Sequence, residues 1–347
     1  MKVSKEVSEI IYSKDYTVSL SEKAIELRWK PQDQVLEKLK NAKDIPFNKG
    51  ANDFQKLKNL PISFVTLKTQ VLTEEINNIA IKGISLEGSK NKCNQDRFGA
   101  SSFKIKNKTF TGDATCIILM DGFNGTGFVE FALPRLHSDF EKEFQESDKE
   151  HEEHLYNGFK RVVTRLQRDW FDKLLKENNL DESGSTLCAH LIIQRDKCVE
   201  IWNANVGDSR GMVIHNSKEN PRLNFIQTSV DASIDETKFH NSVANWGGVI
   251  KNGQLGPLKM LRALGAVTWN ICPRPKITRL VLNKDELDTR QIIVAAMTDG
   301  LTDVFGTRKI GSELGLGSVG EDQLALSARE LGVKQDDVTL VTASFKL

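Results

Sequence analysis

The stretch CIILMDG, residues 116–122, says more about the fold class than any other part of this sequence. Its continuous apolar run is short enough for a strand that is buried on both faces, and Asp-Gly is typical turn chemistry that ends it. The arrangement recurs, because apolar strand-like runs also lie beside acidic segments within residues 199–208, 291–300 and 336–343. We therefore expect a sheet-based core with acidic side chains at several strand ends.

Carboxylates at strand ends can meet in one place, because buried strands hold their end loops rigidly. The residues concerned are Asp121, Asp208, Asp299, Asp303 and Asp336. Like charges a few Å apart repel each other, so such a cluster requires a cation between them or raised pKa values. Mg²⁺ and Mn²⁺ are hard ions that take oxygen ligands. The alternative, which the sequence alone leaves open, is that each Asp-Gly pair is simply a turn.

The chain divides into two regions by composition. Residues 1–80 are rich in Lys, Asn, Gln and Glu and contain few strong apolar runs, which predicts a partly helical N-terminal extension. Strand and helix patterns become dense from residue 81, so residues 81–347 are the predicted main domain. Apolar residues at helical spacing predict a long amphipathic helix over 155–175. A shorter helix is predicted over 324–331, with Gly332 placed to cap its end.

Charge, hydropathy and cysteine usage exclude several functional classes. Lys plus Arg number 48 and Asp plus Glu 47, so the net charge of +1 gives no global field for nucleic acid or a membrane surface. No apolar run approaches the roughly 18 residues of a membrane span, and the N-terminus lacks the apolar core of a signal peptide. The five cysteines include no C-x-x-C pair, which favours buried thiols in a reducing cytoplasm over a zinc site.

Two further patterns are interpreted as structural. The sequence HEEH, residues 151–154, does not have the spacing of a metal-binding His-Glu-x-x-His helix, and its charged surroundings predict a solvated helix start. The glycines between 311 and 320 lack the Lys-(Ser/Thr) of a phosphate-binding loop, so a flexible loop is expected there.

Eight short motifs, in order along the chain, resemble the metal-dependent Ser/Thr protein phosphatases of the type 2C class. They are GIS (83–85) with NQDRF (94–98), LMDGFNG (119–125), SGST (183–186), ANVGDSR (204–210), WGGV (246–249), LRALG (261–265), TDGLTDV (298–304) and DDVT (336–339). One such motif is weak evidence, but eight in the family's order over about three quarters of the chain are specific. The resemblance implies an α+β fold, a four-layer α-β-β-α sandwich of two antiparallel sheets flanked by helices.

The resemblance also implies a site that holds two Mg²⁺ or Mn²⁺ ions. The residues implied as ligands are Asp96, Asp121, Gly122, Asp299 and Asp336. Asp121 would bridge both ions, the Gly122 carbonyl would bind one of them, and Asp299 would bind the other together with Asp336. Asp208 and Asp303 match positions that family members use for a weaker third ion. The implied reaction is hydrolysis of phosphoserine or phosphothreonine in proteins by water that the ions at Asp121 and Asp299 activate.

The sequence departs from the family pattern at several positions of this implied site. Phe123 stands where many members have a His that protonates the leaving group, and Asn124 replaces a small Gly in the metal-binding turn. Gln95 replaces a carboxylate. The expected phosphate-binding Arg falls on Asn91, so that only its neighbours Lys90 and Lys92 offer positive charge.

Two functions therefore remain open from the sequence. Either the chain is a phosphatase that acts on a phosphoprotein substrate, or it is a non-catalytic pseudophosphatase that serves as a binding or scaffold module on the same fold. The four carboxylates retained at the implied metal positions favour the enzyme. In either case the N-terminal extension could dock a protein partner.

Overall fold

The computed structural model describes residues 69–88, 93–218, 223–317, 319–331 and 336–346. Residues 1–68, which make up most of the predicted extension, lie outside the described residues, as do Lys90, Lys92 and the predicted cap Gly332. In the part that is described, no helix combines the length and the apolar character needed to cross a membrane.

The described chain contains sixteen strands. Their bounds are β1 Thr69–Ile76, β2 Ile79–Leu86, β3 Arg97–Lys106, β4 Thr111–Met120, β5 Gly122–Phe123, β6 Gly184–Ser185, β7 Leu187–Gln194, β8 Cys198–Val206, β9 Arg210–Ser217, β10 Leu223–Gln227, β11 Ile250–Lys251, β12 Gln254–Leu255, β13 Leu264–Gly265, β14 Lys276–Asn283, β15 Leu287–Met297 and β16 Val338–Phe345. Each run that the sequence predicts as a strand is one of these.

Six α-helices lie between and after these strands within the described residues. Their bounds are α1 Gly127–Phe144, α2 His151–Glu177, α3 His240–Asn245, α4 Asp299–Thr302, α5 Thr307–Leu316 and α6 Glu321–Leu331. Helix α2 contains the predicted helix over 155–175, and α6 contains the predicted helix over 324–331. Helix α2 ends at Glu177, and the next residue, Asn178, adopts the left-handed conformation that often terminates a helix, with φ 48°.

Two antiparallel sheets form the centre of the fold. The six-stranded sheet has the order β1-β2-β16-β15-β9-β10, and the five-stranded sheet has the order β14-β8-β7-β4-β3. Strand β1 lies within the range predicted as extension, yet it pairs with β2 along its whole length, from Thr69 opposite Leu86 to Ile76 opposite Ile79. The six-stranded sheet therefore begins before residue 81.

The position of strand β4 explains why residues 116–120 are apolar without a break. Ile117 and Leu119 point between the two sheets, whereas Cys116, Ile118 and Met120 point toward α1 and α2, and all five are at most 1% exposed. Successive side chains of a strand lie on opposite faces, so a strand covered on both sides must be apolar throughout. The predicted four-layer α-β-β-α sandwich is confirmed.

The second helical layer covers the outer face of the six-stranded sheet and corrects one prediction. Gly311 and Gly315 do not belong to a flexible loop but lie within α5. A Cβ on Gly311 would overlap the ring of Phe225, and one on Gly315 would come within 2.8 Å of the Leu223 side chain. The two glycines lie one helical turn apart, so they allow α5 to pack closely on β10.

The prediction of a solvated start for the helix at His151 is wrong in one respect. Helix α2 does begin at His151, but the His151 and His154 side chains are buried. His151 Nε2 lies 3.1 Å from a carboxylate oxygen of Glu200, which is 1% exposed and also accepts hydrogen bonds from Trp202 and Arg279. This polar cluster joins α2 to β8 and β14, and it lies at the end of β8 away from Asp208.

The five cysteines are free of disulfide bonds. Cys116, Cys188 and Cys272 are buried, Cys198 is half-buried, and Cys93 is exposed. The prediction of buried thiols therefore holds for three of the five.

A small subdomain follows β10 and reaches the edge of the sandwich. Its own apolar cluster is formed by Ala232, Phe239, Val243, Leu255, Leu261, Ala263, Ala266 and Ile271. It is joined to the main body by a three-stranded sheet of order β13-β6-β5. Strand β5 follows Asp121 directly, so this sheet connects the subdomain to one of the acidic strand ends.

Candidate metal centre

Two glycines demonstrate that the acidic strand ends are neighbours. A Cβ on Gly122 would overlap the backbone carbonyl oxygen of Gln95, and a Cβ on Gly300 would overlap that of Asp337. Only glycine lets two backbones approach so closely. These contacts place the segment of Asp121 beside that of Asp96, and the segment of Asp299 beside that of Asp336. The Gln95 N–H, which donates to Asp337 at 2.8 Å, joins the two pairs at one end of the sandwich.

Asp96 is the most deeply buried of these carboxylates, with a side chain that is 1% exposed. Thr339 Oγ1 donates a hydrogen bond of 2.6 Å to Asp96 Oδ2, while Asp96 Oδ1 has no hydrogen-bond partner. Burial, followed by the negative charge of Asp337, raises the pKa of Asp96 well above its usual value. An orphaned carboxylate oxygen inside the protein is the kind of atom that a cation satisfies.

Asp121 follows strand β4 and is held through its backbone. Its carbonyl accepts the N–H of Thr186 at 2.9 Å and the hydroxyl of Ser185 at 3.0 Å, and its own N–H donates to Thr186 Oγ1 at 3.1 Å. Burial raises the pKa of Asp121, and so do the charges of Asp96 and Asp299. Carboxylates that act on each other's pKa in this way occupy one electrostatic site.

Asp208, at the end of β8, lies on the side of the site next to the small subdomain. Burial, then the charge of Asp299, raises the pKa of Asp208 to about 7, with smaller contributions from Asp231 and Asp303. Asp208 Oδ1 is buried and has no hydrogen-bond partner. Asp303 is exposed, and its N–H donates to the Asp299 carbonyl within α4. The two residues predicted for a third ion are therefore both close enough to Asp299 to interact.

The motif at residues 183–186 has a positioning role in this arrangement. Ser183 Oγ accepts the N–H of Phe128 at 2.8 Å and so caps the start of α1, while Ser185 and Thr186 hold Asp121. Thr186 Oγ1 also lies 2.6 Å from Ser209 Oγ, which links this motif to the one that carries Asp208. Buried hydroxyls of this kind keep a polar site rigid.

The turn after Asp121 keeps its shape despite the substitutions there. Asn124 adopts φ 58°, the left-handed conformation that Asn tolerates better than most residues. The ring of Phe123 lies parallel to that of Trp269, with centroids 5.5 Å apart and planes at 13°. This stack connects the turn after Asp121 to the small subdomain and leaves an apolar ring, without a transferable proton, two residues from Asp121.

The residues present suit a hard divalent cation. Every side chain that the site offers is an oxygen donor, and two of the carboxylate oxygens lack a partner. Among the described residues, no three Asp, Glu, His or Cys side chains are arranged to hold one ion by themselves. An ion would therefore take one or two carboxylates and complete its shell with a backbone carbonyl, such as that of Gly122, and with water, which is how Mg²⁺ usually binds.

Sequence reasoning found the acidic residues but missed what supports them. Lys90 and Lys92 fall outside the described residues, so their predicted phosphate contact stays a prediction. Ser85 and Thr339 were missed, although a signal existed: both are polar residues inside apolar strands, and both are fully buried beside Asp96. Asp337 was quoted only as part of a motif, yet its carboxylate lies within the site.

Comparison with known proteins agrees with this architecture. The family model for protein phosphatase 2C matches residues 85–311. The fold is similar to that of a C. elegans sex determining protein, with 20% identity and a TM-score of 0.60 over 78% of this chain and 66% of that one. It is also similar to a serine-threonine phosphatase 2C from Toxoplasma gondii, with 18% identity and a TM-score of 0.58 over 80% of this chain and 99% of that one.

A search of curated protein sequences gives no match. At these identities the solved structures establish the fold alone, whereas the family model covers well over half of the chain. Residues 85–311 include six of the eight motifs in full, the first motif from Ser85 onward, and all the acidic positions of the site except Asp336 and Asp337. This chain belongs to the protein phosphatase 2C family.

Proposed function

We propose that this protein hydrolyses phosphoserine and phosphothreonine in other proteins, and that it depends on two Mg²⁺ or Mn²⁺ ions. The observation that carries the proposal is the convergence of Asp96, Asp121 and Asp208 around Asp299, whose negative charge, together with burial, raises the pKa of each of the three. Such mutual repulsion is costly unless cations neutralise it. Protein phosphatase chemistry is also what membership of the family supports.

Each residue has a distinct task in this proposal. Asp121, the Gly122 carbonyl, Asp299 and Asp336 would hold the two ions. Asp96, which is buried and has an unpartnered Oδ1, would offer a further oxygen to the centre. Bound divalent ions supply an activated water at neutral pH and offset the charge on the phosphoryl oxygens.

The raised pKa values make cation binding a proton-coupled event. Carboxyl groups that retain protons in the metal-free protein must release them when an ion binds, so metal affinity should increase as pH rises toward and past 7. Asp208 and Asp303 could take part in a third, weaker position in the same way.

The proposal is tested by phosphate release from a phosphothreonine peptide with Mn²⁺ present. The wild-type chain should be active, whereas the Asp121→Asn/Asp299→Asn double variant should lose activity, because the double change removes two of the ion-binding carboxylates. Glu321→Gln is a matched control, because Glu321 bonds to Thr342 on the opposite side of the six-stranded sheet. Equal rates in the wild type and the double variant would sink the proposal.

A non-catalytic role on the same fold is the second candidate, and Phe123 favours it. The stacked Phe123 ring cannot protonate a leaving group, and general-acid help is typically worth about 10²–10⁴-fold in rate. Titration calorimetry with Mn²⁺ separates the two candidates. Absence of heat and of a thermal shift at millimolar metal supports a binding or scaffold module, whereas metal binding with phosphate release supports the enzyme.

We also propose that the residues before Thr69 act as an arm that docks a protein partner or substrate, with the residues from Thr69 onward as the phosphatase domain of a cytoplasmic protein. The sheet already begins at Thr69, so the truncation that tests this should start just before Thr69. Unchanged localisation and unchanged substrate preference after removal of residues 1–66 would argue against the docking role.

A further inference from the structure

Asp337 makes contacts that the motif comparison does not explain. Its side chain is 4% exposed. One of its oxygens accepts the backbone N–H of Gly88 at 2.7 Å, and the other accepts that of Gln95 at 2.8 Å. An ionised carboxylate has two acceptor oxygens, whereas an Asn side chain in the same place has only one and would point N–H against N–H on the other side.

The Gln95 backbone, which Asp337 holds in this way, lies against the segment that carries Asp121. The Gln95 carbonyl oxygen occupies the space beside Gly122 that any side chain would need. The carbonyl of Asp337 itself fills the corresponding space beside Gly300. One residue thus contacts two of the acidic segments directly, and it reaches the segment of Asp121 through Gln95.

We propose that Asp337 is the positioning residue of the metal centre: by accepting the N–H groups of Gly88 and Gln95, it fixes the Gln95 backbone and so sets the spacing between Asp96 and Asp121. The inference rests on the proposed function, because this spacing matters only if cations bind there. Burying the charge of Asp337 beside other carboxylates costs folding free energy, so a role in packing alone does not explain it. The charge is explained if Asp337 positions the two amides that it accepts, because hydrogen bonds to charged groups are stronger than those between neutral groups.

Three variants separate positioning from simple charge. Asp337→Asn removes the charge and one acceptor. Asp337→Asn/Gln95→Glu returns a negative charge to the neighbouring side chain but not the second acceptor. Glu321→Gln removes a carboxylate that bonds to the same strand, β16, away from the centre. The readouts are the Mn²⁺ dissociation constant by calorimetry, thermal unfolding of the metal-free protein, and amide exchange at Gly88 and Gln95 by NMR.

We expect Asp337→Asn to weaken Mn²⁺ binding about 10- to 100-fold, the usual effect of losing a residue that orients metal ligands. The double variant should stay weak, and the Glu321→Gln control should bind like the wild type. Restored affinity in the double variant would mean that Asp337 acts through its charge alone and would overturn the inference. Affinity of Asp337→Asn within twofold of the wild type, or equal weakening in the control, would overturn it as well.

The wild-type protein provides a test that needs no variant and no metal. The Gly88 and Gln95 amides should exchange slowly in the metal-free chain, because both are bonded to a buried carboxylate. Fast exchange at both amides would refute the positioning role of Asp337 even if Asp337→Asn failed to fold. If the wild type bound no Mn²⁺ while both amides were protected, the proposed function would fail. The hydrogen bonds of Asp337 to Gly88 and Gln95 would then remain as a structural contact only.

Discussion

Replacing Asp208 with Asn should remove a pH-dependent loss of stability from the metal-free protein. Burial and the charge of Asp299 raise the pKa of Asp208 from 3.8 to about 7. A carboxyl group with a raised folded-state pKa keeps its proton longer in the native state than in the unfolded state. The contribution of Asp208 to native stability is therefore greatest below its unfolded-state pKa of 3.8, and it decreases as pH rises toward and past 7.

The size of the effect follows from the same shift. Each pKa unit is worth about 1.4 kcal/mol, so ionising Asp208 should lower the free energy of unfolding by up to about 3 kcal/mol between pH 5 and pH 8. In the Asp208→Asn variant the side chain is neutral at every pH. That part of the slope should disappear, and the variant should be more stable than the wild type at pH 8.

The assay is urea unfolding in the presence of a chelator at both pH values, followed by circular dichroism. Glu321→Gln serves as a control for loss of a carboxylate elsewhere in the fold. Addition of Mn²⁺ to the wild type at pH 8 should restore the lost stability, because a bound cation neutralises the same charges. The reasoning is refuted if Asp208→Asn loses as much stability between pH 5 and pH 8 as the wild type does.

Three other substitutions test separate parts of the structure. Thr339→Val should cost about 1–3 kcal/mol in urea unfolding, because it leaves both oxygens of the buried Asp96 without a partner; an unchanged midpoint would contradict this. Phe123→His should raise turnover of an alkyl phosphate by about 10²-fold if a missing proton donor limits the rate, and parallel assays of an aryl phosphate should show a smaller gain. Glu200→Gln should reduce the free energy of unfolding at neutral pH. Burial alone would raise the pKa of Glu200, but His151 and nearby arginines lower it to about 2. The wild type's advantage over the variant should therefore disappear as pH falls from about 4.5 toward 2.

Much of the architecture could be predicted because burial on both faces of a strand leaves a clear mark in the sequence. The run at residues 116–120 is short enough for a strand enclosed by two apolar layers, and Asp-Gly marked its end. The stripe of apolar residues in α2 was equally informative. Strand β1 was harder to recognise, since Val71 is exposed on the sheet's edge and the neighbouring residues alternate only weakly.

The errors arose where a residue's neighbours come from distant parts of the chain. Gly311 and Gly315 suggested a loop, because glycine disfavours helices, and only the side chains of β10 reveal why a helix needs them there. His151 sits among charged residues in the sequence, yet its partner Glu200 is 49 positions away. Tertiary contacts of this kind override local propensity and composition.

The acidic residues of the centre were predictable because the motifs that carry them follow the family's order, whereas an Asp-Gly pair at a strand end is by itself also typical of a turn. Their supports were not, since a buried hydroxyl such as Ser85 or Thr339 gives no sign of which carboxylate it serves. The same holds for Asp337, whose two amide partners, Gly88 and Gln95, lie more than 240 positions away. Long-range hydrogen bonds of this kind are visible only in three dimensions.

The stack of Phe123 and Trp269 gives this protein its own optical reporter. Indole emission responds to nearby charge and polarity, and Trp269 lies against the turn that carries Asp121. The other tryptophans are Trp29, Trp170, Trp202 and Trp246, so a chain with phenylalanine at those four positions would emit from Trp269 alone. Occupancy of the turn could then be followed in real time, by light and without any substrate.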